Sequence, residues 1–259
     1  MTHTAMLETR ALSVTYRTRR GTIDALREID LRIEPGEFVT VLGPSGCGKS
    51  TLLKIAAGLL TPSAGQIMLS GKPVNGPHED IGIAFQKPTL MPWKTVLGNV
   101  MLPSHTLGHD MRAARTRARE LLALMGLQDF ADNYPNELSG GMQQRVGLAR
   151  MLQRDPKLLL MDEPFAALDA MTRETLTLEL QRIWLKQRKS VLFITHSIAE
   201  AVFLSDRVLV MSPRPGRLIE DFRVPLDRPR TLDTMSSPGF VDAVRHLRHH
   251  FSGEAACNV

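Results

Sequence analysis

The chain is 259 residues long, enough to bury a full core as one domain with an insertion. No apolar run approaches the ~20 residues of a membrane span, and the opening MTHTAMLETR lacks the apolar centre of a secretion signal, so a soluble, cytoplasmic protein is expected. Two cysteines, Cys47 and Cys257, supply neither a disulfide framework nor a zinc-ligand spacing, and the formal net charge of +5 suits a nucleotide enzyme, an anionic membrane surface or nucleic acid without choosing among them.

The stretch LETRALSVTYRTRRGTIDALREIDLRIEPGEFVTVLG alternates in short extended runs broken at Arg-Arg-Gly and Glu-Pro-Gly, which predicts a small antiparallel sheet leading into a strand over Phe38–Leu42. Tyr16 on that sheet is able to stack on an adenine ring, although packing is the commoner use of a lone aromatic. VTVLGPSGCGKSTLLKIAAGL follows, with a helix predicted from Ser50 onward. Its G-x-x-x-x-G-K-[ST] pattern between strand and helix predicts a phosphate-binding loop of Gly43, Pro44, Ser45, Gly46, Cys47, Gly48, Lys49, Ser50 and Thr51, the alternative being a glycine-rich turn with a chance lysine. The glycines let backbone N–H groups cradle phosphates, Lys49 would neutralise the β- and γ-phosphates, and the Ser50 hydroxyl would bind Mg²⁺. The Cys47 thiol is a modification site that nucleotide protects, or simply a small residue tolerated in the loop.

SAGQIMLSGKPV repeats the strand-turn idiom, and IGIAFQ is a further strand ending at Gln86, whose amide can contact both metal and attacking water. From about Pro88 to Asp155 the pattern turns helical, with breaks at Pro92, Pro103 and Pro135. Within it MRAARTRARELLALMGL lines up Ala114, Ala118, Leu121, Leu122 and Met125 on one face and arginines on the other. ELSGGMQQR opens another helix, with Ser139 as cap; Gly140 and Gly141 should weaken it by about 1 kcal/mol each. They mark either a turn or an anion site of bare N–H groups at a helix N-terminus.

PKLLLMDEPFAALD holds a buried-strand run, Leu158–Met161, that carries Asp162 and Glu163 to its C-terminal end, where ligands bind in open α/β sheets. Asp162 would share the Mg²⁺ with Ser50, and Glu163 would act as general base on the attacking water. A helix over Thr172–Gln187 separates this strand from VLFITH, whose last residue, His196, either supports the γ-phosphate and the water or is structural. The alternation implies an α/β fold with a mainly parallel sheet.

Taken in order, Tyr16, GPSGCGKST, Gln86, LSGGM, LLLMDEP, ALD and His196 resemble the nucleotide-binding subunit of an ATP-binding cassette (ABC) transporter, over nearly the whole chain. The resemblance implies a P-loop NTPase core of the RecA-like kind with an N-terminal antiparallel β-subdomain (residues 1–86 and 156–225), an inserted helical signature subdomain (87–155) and a C-terminal extension (226–259). It also implies a head-to-tail homodimer in which Ser139, Gly140 and Gly141 serve the partner's nucleotide and Asp169 supports the dimer contact. Met142 stands where the family most often has glutamine. Membrane permease subunits would dock on KPTLMPWKTVLGNV, where Leu90, Met91 and Trp93 form an apolar lip unless they are buried in the protein's own core. VLVMSPRPGRLIEDFRVPLDRPR resembles the tail of the nitrate, sulfonate and taurine importers, whose solute is recognised by an external binding protein. The subunit is then peripheral on the cytoplasmic face of the membrane and no nucleic-acid partner is expected; the rival is a soluble ABC-type ATPase acting on nucleic acid or ribosomes.

Overall fold

Short β-branched and apolar stretches set the N-terminal architecture of the computed structural model, which describes residues 4–19, 21–105, 110–166 and 168–251. In chain order come β1 (Leu7–Thr18), β2 (Gly21–Ile29), β3 (Arg32–Ile33), β4 (Phe38–Leu42), α1 (Lys49–Ala56), β5 (Ala64–Leu69) and β6 (Lys72–Pro73). β1 pairs antiparallel with β2, Tyr16 opposite Ile23, and the sheet runs β2-β1-β5-β6 with β3 also on β1. Leu7, Leu12 and Val14 are its buried face. β4 stands outside this sheet: all of its residues are buried, as expected of a strand covered on both sides. α1 begins at Lys49, one residue before the predicted start.

The described residues form two compact units, one from the chain up to His78 together with Thr177 onward, the other Glu79–Leu176. The second unit contains β7 (Ile81–Ala84), α2 (Val96–His105), α3 (Met111–Leu124), α4 (Gly140–Leu152) and β8 (Leu158–Asp162). β7 and β8 pair in parallel, Ile81 opposite Leu158 and Ala84 opposite Met161. α3 buries Ala114, Ala118, Leu121 and Leu122 as its periodicity predicts, and Asp110 caps it by accepting the Arg112 N–H at 2.9 Å. Met125, expected on the same stripe, is buried too but ends the helix as its cap. Gln153 closes this unit by donating to the Ala114 carbonyl at 2.8 Å.

α5 (Ala170–Gln187) starts two residues earlier than predicted, and β9 (Ser190–Thr195), α6 (Ile198–Leu204), β10 (Arg207–Met211), β11 (Leu218–Arg223), α7 (Leu232–Met235) and α8 (Pro238–His249) follow. In the first unit the order is β11-β10-β4-β9; β10, β4 and β9 are parallel, and β11 joins β10 antiparallel. Phe38 packs edge-on against Trp184 at 5.7 Å between ring centroids, and Arg228 lies over the Trp184 ring at 4.2 Å. Arg230 is 2% exposed and donates to the carbonyls of Val202 (2.7 Å), Phe203 (3.0 Å) and Ser205 (2.8 Å), tying the segment after β11 to the carbonyl-rich end of α6. Burial pulls its pKa down to about 10. No helix among the described residues is long and apolar enough to cross a membrane. Cys257 lies outside the described residues.

Candidate nucleotide-binding site

In the first unit, parallel register sets the site. Leu42 lies opposite Thr195, so the glycine loop that begins at Gly43 leaves the sheet beside His196. Lys49 is buried to 6% exposure at the centre of that loop, where its ammonium donates to the carbonyls of Gly43 at 2.7 Å and Pro44 at 2.9 Å. Ser45, Gly46 and Ser50 are exposed, whereas the Cys47 side chain is buried. Gly48 caps α1 with φ 109°, and a Cβ there would lie 2.6 Å from Leu26 Cδ2, so only glycine carries the loop into the helix. An ammonium held by the loop carbonyls, in a loop that turns at Gly46 and Gly48 with positive φ, suits the phosphates of a nucleotide. Tyr16, on β1, brings its hydroxyl within 3.3 Å of Thr51 Oγ1, which sets its half-exposed ring beside the start of α1.

His196 is exposed at the turn after β9. That turn is held from below: Thr195 donates to the buried Glu200 carboxylate at 2.6 Å and accepts the Ser197 N–H at 3.0 Å, while Ser197 caps α6 by accepting the Glu200 N–H.

Two bracing residues have no local signal in the sequence. Arg214 donates to the Gly46 carbonyl from Nε at 3.3 Å and Nη2 at 3.2 Å. Gly216 bonds to the 25–27 segment in both directions, accepting from Arg27 N and donating to the Ala25 carbonyl, each at 3.0 Å. It lies so near the loop that a Cβ would sit 2.1 Å from the Cys47 carbonyl oxygen. SPRPG reads locally as a turn, and its contact lies some 170 residues away along the chain.

The second unit carries Asp162 and Glu163 and the stretch from Ser139 to Gly141. Asp162 is the last residue of β8, and Glu163 follows in the left-handed region at φ 44°; both are half-buried. A non-glycine residue held there stores about 1–3 kcal/mol, the kind of strain that gathers at working sites. Gln86 is exposed just beyond β7. Ser139 caps α4 by accepting the Met142 N–H at 3.3 Å, as predicted. A Cβ on Gly140 would meet nothing within 4 Å, whereas one on Gly141 would meet Thr172 Cγ2 at 2.8 Å. Gly140 therefore leaves an open approach to the helix N-terminus, and Gly141 lets the chain pass the start of α5. Asp169 caps α5 through the Thr172 N–H at 3.0 Å, and that backbone bond, with one from the Thr172 side chain, holds its carboxyl below the usual aspartate range.

The ABC transporter family matches residues 26–166. The taurine import ATP-binding protein of Rhizobium johnstonii is 49% identical over 94% of this chain and 95% of its own length. An uncharacterised ABC transporter ATP-binding protein of Methanocaldococcus jannaschii is 52% identical over 80% of this chain and 78% of its own length. Among solved structures, a dimeric ATP-binding cassette in a post-hydrolysis state bound to ADP and Pi superposes with a TM-score of 0.75 at 33% identity, covering 86% of this chain and all of that one. The cbiO1 component of the Clostridium perfringens transporter complex cbiONQ gives 0.77 at 27% identity over 98% of both chains. A family match over more than half of the chain, with relatives of this identity along most of its length, shows that the protein belongs to the ABC transporter family.

Proposed function

We propose that the protein is the ATP-hydrolysing subunit of a membrane importer for a small solute of the taurine, sulfonate or nitrate kind. The observation that carries this is the pairing of a complete phosphate loop around buried Lys49 with a second, capped helix N-terminus whose Gly140 face is open. A kinase or other phosphate-loop enzyme has no use for the second element; a cassette dimer does.

The residues divide the work as follows. The N–H groups from Gly43 to Thr51 cradle the phosphates of ATP, Lys49 neutralises their charge, and Tyr16 stacks on the adenine ring. Ser50, Asp162 and Gln86 hold Mg²⁺, which when bound offsets charge on the phosphate oxygens. Glu163 takes the proton of the attacking water, His196 positions that water against the γ-phosphate, and Gln86 senses the phosphate's presence. Ser139, Gly140 and Gly141 serve the nucleotide of a second copy, and Asp169 orders the start of α5 behind them. The domain roles follow: the core and β-subdomain (1–86 and 156–225) bind nucleotide, the helical block (87–155) presents the signature loop, and the extension (226–259) is anchored by Arg230.

Closure of the homodimer on ATP drives the paired permease subunits. Trp93 is 72% exposed and Leu90 and Met91 are half-buried, which supports this stretch as the docking lip rather than core. Import is supported by the taurine import relative along nearly the whole chain. The subunit then sits on the cytoplasmic face of the membrane, and the solute reaches the permease through an external binding protein. Isolation of the tagged protein from its native cells in mild detergent tests this reading. A stoichiometric polytopic membrane protein is expected; salt-sensitive recovery of ribosomes or nucleic acid instead would overturn the importer assignment.

A further inference from the structure

The edge strand β11 and the last helix, α8, lie in the same unit and bring three metal-ligating side chains together, none of which the nucleotide chemistry uses. His246 and His250 are four residues apart, so they share one face at the C-terminal end of α8. Both rings turn to one carboxylate: His246 Nε2 lies 2.6 Å from Glu220 Oε1, and His250 Nε2 lies 2.5 Å from Glu220 Oε2. Phe222, two residues along β11, stacks on the His246 ring at 4.9 Å between centroids and 23° between planes, which fixes its orientation. The second oxygen is the telling atom. Glu220 Oε2 is buried, and His250 Nε2 lies closer to it than in an ordinary N–H···O bond, out of hydrogen-bonding alignment. An ion seated between them would draw on the lone pairs of both atoms, with the ring nitrogen deprotonated.

We propose that Glu220, His246 and His250 bind one divalent transition-metal ion of the zinc class, at a site separate from the nucleotide. The ligand atoms all lie within 4.8 Å of one another, and a tetrahedral ion with bonds near 2.0–2.1 Å needs them about 3.3 Å apart. The two imidazole–carboxylate pairs, at 2.6 and 2.5 Å, widen and the remaining pair closes by rotation of His250 and Glu220, 29% and 22% exposed at the side chain, against the His246 ring that Phe222 holds. Two imidazoles and a carboxylate select Zn²⁺, Cu²⁺ or Ni²⁺ over the all-oxygen preference of Mg²⁺, so the site does not compete for the metal of ATP. Three protein ligands leave a fourth position for water. The carbonyl end of α8 adds favourable charge. Bound metal thereby clips α8 to the sheet edge.

The test uses the full-length, nucleotide-free protein with any histidine tag removed, stripped of metal and titrated with Zn²⁺ near neutral pH against a chromophoric chelator. One saturable equivalent is expected, with affinity lowered at least about tenfold in both Glu220→Gln and His250→Asn. Co²⁺ in place of Zn²⁺ should give tetrahedral absorption bands that both variants lose, while their circular dichroism stays that of the parent. Absence of a saturable equivalent, or one that persists unweakened in both variants, would overturn the assignment and leave the three residues as a hydrogen-bonded clasp.

Discussion

Gly216→Ala isolates the steric support of the phosphate loop. Gly216 has no left-handed backbone angle, so the substitution adds only volume, and that volume has nowhere to go. The new Cβ would lie 2.1 Å from the Cys47 carbonyl oxygen and 2.5 Å from Met211 Cε. The Met211 side chain can turn away; the Cys47 carbonyl is backbone within the loop itself. Gly216 cannot retreat, because its N–H and C=O are both bonded to the Ala25–Arg27 segment, and Leu26 also packs against Gly48. Relief therefore needs a shift of about 1 Å in the loop, at a cost of about 1–3 kcal/mol as for other overpacked sites. A displacement of that size at a catalytic loop lowers turnover by up to about 10²-fold. Thermal unfolding should show the melting temperature falling by about 2–4 °C for each kcal/mol, and steady-state phosphate release should fall about 10–100-fold. Gly76→Ala is the control, since a Cβ there meets nothing within 4 Å. If Gly216→Ala matches Gly76→Ala in both assays, the bracing argument is refuted.

Lys49→Ala should abolish measurable binding of a fluorescent ATP analogue, because it removes the ammonium that the Gly43 and Pro44 carbonyls hold in the loop; retained binding would remove Lys49 from its role. Glu163→Gln should bind ATP normally and lose about 10²–10⁴-fold in turnover, as expected on removing a general base, measured by single-turnover hydrolysis. Arg230→Met leaves the Val202, Phe203 and Ser205 carbonyls without their shared donor and should cost about 3 kcal/mol in urea unfolding. Trp93→Ala should change stability by less than about 0.5 kcal/mol, as exposed positions do, yet reduce recovery of the membrane partner in detergent.

Much of the fold was readable because its signals are local. The run FVTVL followed by spaced glycines identifies a buried strand feeding a phosphate loop, and the α3 stripe names its own core. The position of His196 was readable for the same reason: the buried run VLFIT ends one residue before it, at the end of β9. Helix starts were less so. Asp169 reads as a dimer contact in the family pattern, yet its capping bond to Thr172 N–H draws α5 two residues further back than apolar spacing suggests. The left-handed turn at Glu163 was hidden because a glutamate, unlike glycine or asparagine, does not advertise a positive φ in a sequence. Long-range bracing leaves no pattern at all. Arg214 and Gly216 reach the loop only through the β10–β11 connection, and Glu220 meets His246 only because α8 returns to the sheet edge.

The central claim is that one copy's phosphate loop and another copy's signature loop share a nucleotide. Light scattering of Glu163→Gln with and without ATP tests it most directly. The account predicts a mass that doubles on ATP addition, and fails to double when Ser139→Arg is added to block the open helix end. A protein that binds ATP at Lys49 yet keeps its monomer mass, or doubles regardless of Ser139, would contradict it.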